Sequence, residues 1–196
     1  EPIEGEDKPR DPVFPNAKLL VHRKELATFE SLHPMQWAWY VEKGMAGIPE
    51  ERLEIFDGDV ELGVGVSLLW TPGHTDGNHS LCVNTPDGVW VCSENGMAAD
   101  SWQPELSTIP GVKQQAEFYG REVVLNGNTL EDSIDQYDSM VKEKTMASPS
   151  PRDPRWQQVI PSSQCASWKR QWPVIPTYAH EPLNYGTIVA PGTDPA

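Results

Sequence analysis

Residues 68–97 read "LLWTPGHTDGNHSLCVNTPDGVWVCSENGM", and this stretch carries the strongest structural and chemical signals of the chain. "LLWT", "HSLCVN" and "GVWVCS" are rich in strand-forming residues. The "TPDG" between the last two runs has the proline and Asp-Gly of a tight turn, so the two runs predict a hairpin. In the preceding loop, Pro72 fixes φ and Gly73 permits a close backbone approach. His74 is therefore expected on a short, rigid loop at the edge of a sheet.

Two interpretations of His74 follow from this position. A neutral imidazole on a rigid loop is a good ligand for zinc or iron, and Asp76 and His79 follow closely enough to orient or charge that ligand. A lone histidine in a turn, however, more often faces solvent. The residues alone leave both interpretations open.

The rest of the chain predicts a mixed α/β fold. Residues 17–22 predict a strand, "RKELATFESL" predicts a helix, and residues 51–71 predict two strands joined by the turn "DGD". An amphipathic helix is predicted for residues 129–146, with Asn128 and Glu131 at capping-box spacing, and "QQVIPSS" predicts a short strand after it. The apolar residues of this helix recur at helical intervals: Leu130, Ile134, Tyr137 and Val141.

Composition excludes several classes of function. The 196 residues carry a formal net charge of −14, which argues against binding to nucleic acid or to an anionic membrane surface. No apolar run approaches the roughly 18 residues of a membrane span, and no signal peptide is recognisable, so a cytoplasmic location is expected. The three cysteines are too few for a disulfide framework, and they form no Cys-x-x-Cys pair.

"TPGHTDGNHSL" followed by "GVWVCSE" resembles the second conserved segment of the metallo-β-lactamase-fold hydrolases, in which a strand ends in Thr-Pro-Gly-His-Thr-x-Gly-His. The order of strands and helices over residues 14–163 is similar to that of the lactonase-like branch. This resemblance implies that His74 is a metal ligand and that the chain is the C-terminal portion of an α/β fold, the αββα sandwich. Residues 1–13 are then a linker or the continuation of a missing N-terminal part. Residues 164–196 are an irregular extension rich in proline and aromatic residues.

Three departures from the family pattern shape the expected site. The motif His-x-His-x-Asp-His is absent, so an N-terminal segment of the same protein is expected to supply further ligands. The family's bridging aspartate falls at Glu94 or Asn95, which become the predicted catalytic and metal-binding residues beside His74. Ser163 stands in place of the family's last histidine. Because these losses affect mainly one of two metal positions, one zinc ion is expected rather than two.

The resemblance thus implies a metal-dependent hydrolase that uses activated water on a small organic substrate. A lactone or ester is the first expectation, and hydrolytic dehalogenation of an aromatic compound is the second. The alternative is a catalytically degenerate member of the family that acts as a binding or assembly module. Expected partners are the substrate, the N-terminal segment and a second copy in a homodimer, without nucleic acid or membrane. The residues predicted to line the substrate pocket are His33, Trp37, Trp39, Tyr40 and Trp102.

Overall fold

The computed structural model describes residues 14–34, 37, 40, 48–96, 98–125 and 133–162. Within these ranges the chain forms two sheets, three α-helices and three short 3-10 helices. The strands are β1 (Leu19–His22), β2 (Leu53–Phe56), β3 (Val60–Gly63), β4 (Val66–Trp70), β5 (His79–Thr85), β6 (Gly88–Ser93) and β7 (Val159–Pro161). The α-helices are α1 (Arg23–Glu30), α2 (Val112–Tyr119) and α3 (Ser133–Met146), and the 3-10 helices are Glu50–Arg52, Ala99–Ser101 and Pro104–Leu106.

The larger sheet has the strand order β3-β4-β5-β6-β7, and only its last pair, β6 and β7, runs parallel among the described strands. The predicted hairpin is confirmed as β5 and β6. Its turn closes through Thr85, whose Oγ1 donates to the Gly88 carbonyl at 2.9 Å and accepts from the Asp87 amide at 3.2 Å. Gly88 has φ 103°, a left-handed conformation that favours glycine. Because β6 and β7 are parallel, their carboxyl ends lie at the same edge of the sheet.

β1 and β2 pair in parallel as a separate two-stranded sheet. The predicted "DGD" turn does connect two strands, β2 and β3, but a third strand, β4, also lies within residues 51–71. β2 and β3 belong to different sheets, which local turn chemistry does not specify. Both aspartates of this turn pair with distant residues. Asp57 lies 3.0 Å from Arg23, and Asp59 lies 2.7 Å from Lys142.

The smaller sheet packs on the larger one through aromatic rings. His22 is 2% exposed; its ring stacks on Trp70 at 5.3 Å and meets Phe56 edge-on at 5.5 Å. The two ring nitrogens of His22 face the backbone N–H groups of Lys24 and Gly58, at 3.3 and 3.1 Å. Burial lowers the pKa of His22, so the neutral ring is favoured in the folded chain.

The main core lies between the larger sheet and α3. The predicted helix is confirmed for Ser133–Met146, whereas its predicted cap at residues 128–131 lies outside the described residues. Tyr137 and Val141 of the predicted apolar face pack against the core, as expected. The buried face also includes residues that were not predicted, namely Gln136, Ser139 and Glu143 together with Met140. The apolar core cluster consists of Leu69, Cys82, Val91, Trp102, Val123, Met140, Ala147 and Val159.

The helices and strands together confirm the predicted mixed α/β class. No helix within the described ranges is long and apolar enough to cross a membrane. The predicted linker at residues 1–13 and the predicted extension at residues 164–196 lie outside the described residues, so these domain boundaries stay predictions.

Candidate metal site

The loop between β4 and β5 is closed at its two ends by hydrogen bonds. The Thr71 amide donates to the Asn78 carbonyl at 3.0 Å, and Asn78 Nδ2 donates to the Thr71 carbonyl at 2.8 Å. A Cβ at Gly73 would lie 2.7 Å from Asn95 Oδ1 and 2.8 Å from the Gln136 side chain. The close backbone approach predicted for Gly73 is therefore confirmed. A larger residue there would push this loop away from its neighbours.

The start of α1 supports the same loop. A Cβ at Gly77 would clash with the Glu25 amide nitrogen, so the loop backbone lies directly against the helix. Thr75 Oγ1 donates a hydrogen bond to the Glu25 carboxylate. Gly77 thus allows the loop to pack against α1, and the Thr75 hydroxyl bonds it there, on either side of Asp76.

His74 and Glu94 meet at the edge of the larger sheet where β6 and β7 end. His74 Nε2 lies 3.4 Å from Glu94 Oε2, and the two side chains are 44% and 51% exposed. Ser162, directly after β7, donates from Oγ to Glu94 Oε1 at 3.0 Å. His74 Nδ1 is buried and has no hydrogen-bond partner among the described residues. The site therefore brings together an imidazole, a carboxylate and a hydroxyl from three separate segments.

The spacing of His74 and Glu94 fits a shared metal ion. In a tetrahedral zinc site with bonds of about 2.0–2.2 Å, two ligand atoms lie about 3.3–3.5 Å apart. The observed 3.4 Å between Nε2 and Oε2 falls in that range. Across the described residues, however, no group of three or more His, Cys, Asp or Glu side chains is placed to hold a metal. The described part of the chain thus offers two donors, and a complete site needs more.

Asn95, the other predicted ligand, is fully buried and its side chain is already bonded. Its Nδ2 donates to the Thr71 carbonyl at 3.1 Å and to Glu143 Oε1 at 2.8 Å. Its Oδ1 accepts from the His74 amide at 3.0 Å. The ligand role predicted for Asn95 stays a prediction. The contacts it makes here are those of a residue that joins two loops.

Asp76 and His79, predicted to orient the metal ligand, lie in other contacts. The Asp76 side chain is exposed, and its carbonyl accepts from Trp70 Nε1 at 2.8 Å. The His79 ring packs edge-on against Phe56 at 5.5 Å, and its Nδ1 lies 3.3 Å from the Gly77 carbonyl. Their predicted role toward His74 stays a prediction without a described contact to support it.

The pocket predicted from the aromatic residues and His33 stays a prediction. His33 is exposed, and so is Trp37, whose Nε1 donates to the Leu32 carbonyl at 3.2 Å. Tyr40 packs edge-on against Phe29, with the ring centres 5.3 Å apart.

Trp39 lies outside the described residues, so its predicted pocket role stays untested. Trp102 has 0% exposure and belongs to the apolar core, so no described contact supports its predicted pocket role, which stays a prediction.

Sequence reasoning missed Glu143, the central polar residue behind the site. Its side chain has 0% exposure and accepts four hydrogen bonds, each at 2.8 Å. Burial raises the pKa of Glu143, and the four hydrogen bonds act in the opposite direction. A glutamate on a surface helix gives no local sign of such burial. The donors are Ser80, Ser93 and Asn95 to Oε1, and Trp102 to Oε2.

Comparison with known proteins identifies lactonases as relatives of part of the chain. No family model matches. Over 73 residues the chain is 34% identical to the N-acyl homoserine lactonase AiiA of Bacillus thuringiensis subsp. kurstaki, a match that covers 37% of this chain and 26% of AiiA. The lactonase of B. thuringiensis subsp. indiana matches to the same extent. The match thus spans about a quarter of these relatives, and it confirms the resemblance to the lactonase-like branch of the metallo-β-lactamase fold.

Solved lactonase structures are similar to parts of the chain. A crystal structure of B. thuringiensis AiiA with N-decanoyl-L-homoserine at its active site is 21% identical, with a TM-score of 0.39, covering 59% of this chain and 48% of AiiA. An N-acyl homoserine lactone hydrolase with its product at the catalytic metal centre is also 21% identical, with a TM-score of 0.37, covering 57% of this chain and 46% of that protein. Likeness at this level does not establish function.

Proposed function

We propose that this chain contributes His74 and Glu94 to the metal site of a hydrolase that acts on lactones or related esters. The observation that carries this proposal is the 3.4 Å separation of His74 Nε2 and Glu94 Oε2 at the carboxyl edge of the larger sheet. The partial homology to N-acyl homoserine lactonases supports the choice of reaction. The remaining ligands come from a further segment of the same protein.

The chain's own residues have distinct roles in this proposal. His74 is a neutral nitrogen donor on a rigid loop, and Glu94 is an oxygen donor at the end of β6. Ser162 orients Glu94 through its hydrogen bond to Oε1, which leaves Oε2 directed at His74. When bound, a zinc ion supplies Lewis acidity, which lowers the pKa of water to about 7 and polarises the scissile carbonyl. One ion is proposed, because these residues provide donors for a single position.

A specific observation favours the alternative of a non-catalytic binding or assembly module. The described residues hold no cluster of three metal-binding side chains. His74 and Glu94 also satisfy each other as an ion pair when the histidine is protonated. A family member that has lost its metal would keep the scaffold and use such a pair in place of the ion.

Metal analysis of the purified full chain, with and without its natural flanking sequence, distinguishes these two functions. About one equivalent of zinc is expected in the complete protein. His74→Ala and Glu94→Ala are expected to lose it, since each removes a donor. The matched control is Glu61→Ala, which removes an exposed carboxylate from β3 of the same sheet. Zinc retained in both site variants would refute the assignment, and no zinc in any folded sample would favour the binding module.

Activity is tested on the same samples with a lactone panel, simple esters and halogenated aromatics. Hydrolysis of lactones that disappears in His74→Ala and persists in Glu61→Ala supports the proposal. Release of halide alone would point to dehalogenation, the second reaction that an activated hydroxide can perform. Two equivalents of zinc would contradict the proposal of a single ion.

A further inference from the structure

α3 buries a row of polar side chains against the loops of the site. Gln136, Ser139 and Glu143 are 1%, 5% and 0% exposed. Their spacing of three and four residues places them on one face of the helix. Polar residues are rarely buried to this extent unless they are hydrogen-bonded. The partners of this face therefore indicate what it does.

Each of the three residues bonds to a segment next to a proposed metal ligand. Ser139 Oγ donates to the Pro72 carbonyl at 2.6 Å, two residues before His74. Gln136 Nε2 donates to the Asn95 carbonyl at 3.0 Å, directly after Glu94.

Glu143 bonds on both sides of Glu94. Its Oε1 accepts from Ser93 Oγ and from Asn95 Nδ2, each at 2.8 Å. Glu143 also accepts from Ser80 and Trp102, which lie further along the chain from the two ligands. The other contacts of this helix face go to neighbours of His74 on the β4–β5 loop and to neighbours of Glu94 at the end of β6.

Asn95 connects the β4–β5 loop, which carries His74, to the loop after β6, which carries Glu94. Its Oδ1 accepts from the His74 amide at 3.0 Å, and its Nδ2 donates to the Thr71 carbonyl at 3.1 Å as well as to Glu143. A shift of Glu143 or Gln136 would therefore move Asn95, and Asn95 would move the backbone of His74. The positions of the two loops are coupled through α3.

We infer that Gln136, Ser139 and Glu143 form a polar clamp that sets the separation of His74 and Glu94. They are positioning residues, since none of them reaches the ligand atoms in the described contacts. The consequence for metal binding rests on the proposed function, whereas the mechanical coupling of the two loops does not. Groups behind metal ligands typically change metal affinity about 10- to 100-fold when they are removed.

The test measures hydrogen exchange at the His74 amide, which donates to Asn95 Oδ1. The variants are Ser139→Ala and Glu143→Gln. Ser139→Ala removes only the hydrogen bond to the Pro72 carbonyl. Glu143→Gln keeps the shape of the side chain but places an amide NH₂ opposite the indole N–H of Trp102. Met140→Ala is the matched control, because Met140 is fully buried on the same helix and packs in the apolar core. Rates are divided by that of the Val91 amide, which bonds to the Gln158 carbonyl inside the sheet. A rise of this ratio then reports local opening at His74, because a global loss of stability raises the Val91 rate at least as much.

The clamp predicts that the normalised His74 exchange rises about tenfold in Ser139→Ala and Glu143→Gln, the size expected for losing a hydrogen bond. Met140→Ala does not raise that ratio. An equal ratio in clamp variants and control overturns the inference. In zinc titrations of the complete protein, the clamp variants bind about tenfold or more weakly than the control.

The zinc readout separates the clamp from the proposed function. If the parent protein binds no zinc, the proposed function fails while the exchange ratio still decides the clamp. If the parent binds zinc and the clamp variants bind it as tightly, the clamp is overturned and the proposed function stands.

Discussion

Replacing Glu143 by alanine tests how much stability the buried carboxylate contributes. The substitution removes the acceptor of four donors, and one of these keeps another partner, because Ser80 Oγ still contacts Thr71 Oγ1 at 2.8 Å. Asn95 Nδ2 has two hydrogens. One of them still goes to the Thr71 carbonyl, at 3.1 Å, and the other loses its acceptor. The indole N–H of Trp102 and the hydroxyl hydrogen of Ser93 also lose the acceptors that they have in the described contacts.

The expected cost follows from those three donors. Each buried donor without a partner costs about 1–3 kcal/mol, and the cavity left by the side chain adds to this. Glu143→Ala should therefore lower the free energy of unfolding by at least about 3 kcal/mol. Glu143→Gln keeps one oxygen as the acceptor of three donors, and its amide NH₂ faces only the indole N–H of Trp102. It should therefore lower the free energy of unfolding by about 1–3 kcal/mol.

Urea unfolding followed by tryptophan fluorescence and by circular dichroism measures both values, with coincident curves as the check on two-state behaviour. A loss below about 1 kcal/mol in Glu143→Ala would refute the reasoning, because it would mean that the four hydrogen bonds contribute nothing net. A loss in Glu143→Gln as large as in Glu143→Ala would also contradict it, since the two variants would then share a cause other than the number of orphaned donors.

Three further predictions concern other parts of the chain. Gly77→Ala should lower the free energy of unfolding by about 2–3 kcal/mol, measured by thermal unfolding, because the new Cβ clashes with the backbone of Glu25. The control Gly63→Ala places its Cβ in open space and should change this free energy by no more than about 0.5 kcal/mol. The pKa of His22 is lowered in the folded chain, so as the pH falls the unfolded chain binds a proton before the folded chain does. The free energy of unfolding should therefore decrease as the pH drops below 6.5. His22→Gln should reduce this dependence between about pH 7 and 5.5, and an unchanged dependence would exclude His22 as its source. Burial raises the pKa of Cys82 to about 11, so iodoacetamide at pH 8 should label this thiol only after unfolding. Peptide mass spectrometry measures the labelling, and labelling in the native chain would contradict the burial of Cys82.

Local chemistry was enough to predict the hairpin and the loop that carries His74. "TPDG" specifies a tight turn between two strand-forming runs, and Pro-Gly before His74 specifies a close approach of the backbone. Such features depend on residues a few positions apart, so they can be recognised without knowing the rest of the fold. The helix of residues 133–146 is recognisable for the same reason, although its buried polar residues were not predicted.

Long-range contacts decided the features that sequence reasoning missed. The "DGD" turn suits a hairpin, yet β2 pairs with β1 and β3 pairs with β4, so the turn connects two sheets. Trp102 was predicted to line a pocket, but its side chain is buried in the core, where its indole N–H donates to Glu143. Neither outcome can be derived from the neighbours of these residues along the chain.

The candidate site shows the same division between local and long-range information. His74 could be singled out from its loop, but its distance from Glu94 depends on three strands and on β7, which carries Ser162 to the same edge. Glu143 lies 63 residues from Ser80 and 41 from Trp102, and in sequence it resembles any solvent-facing helix glutamate. Its burial is tolerated only because four donors converge on it. That convergence exists only once the sheet and α3 have packed together.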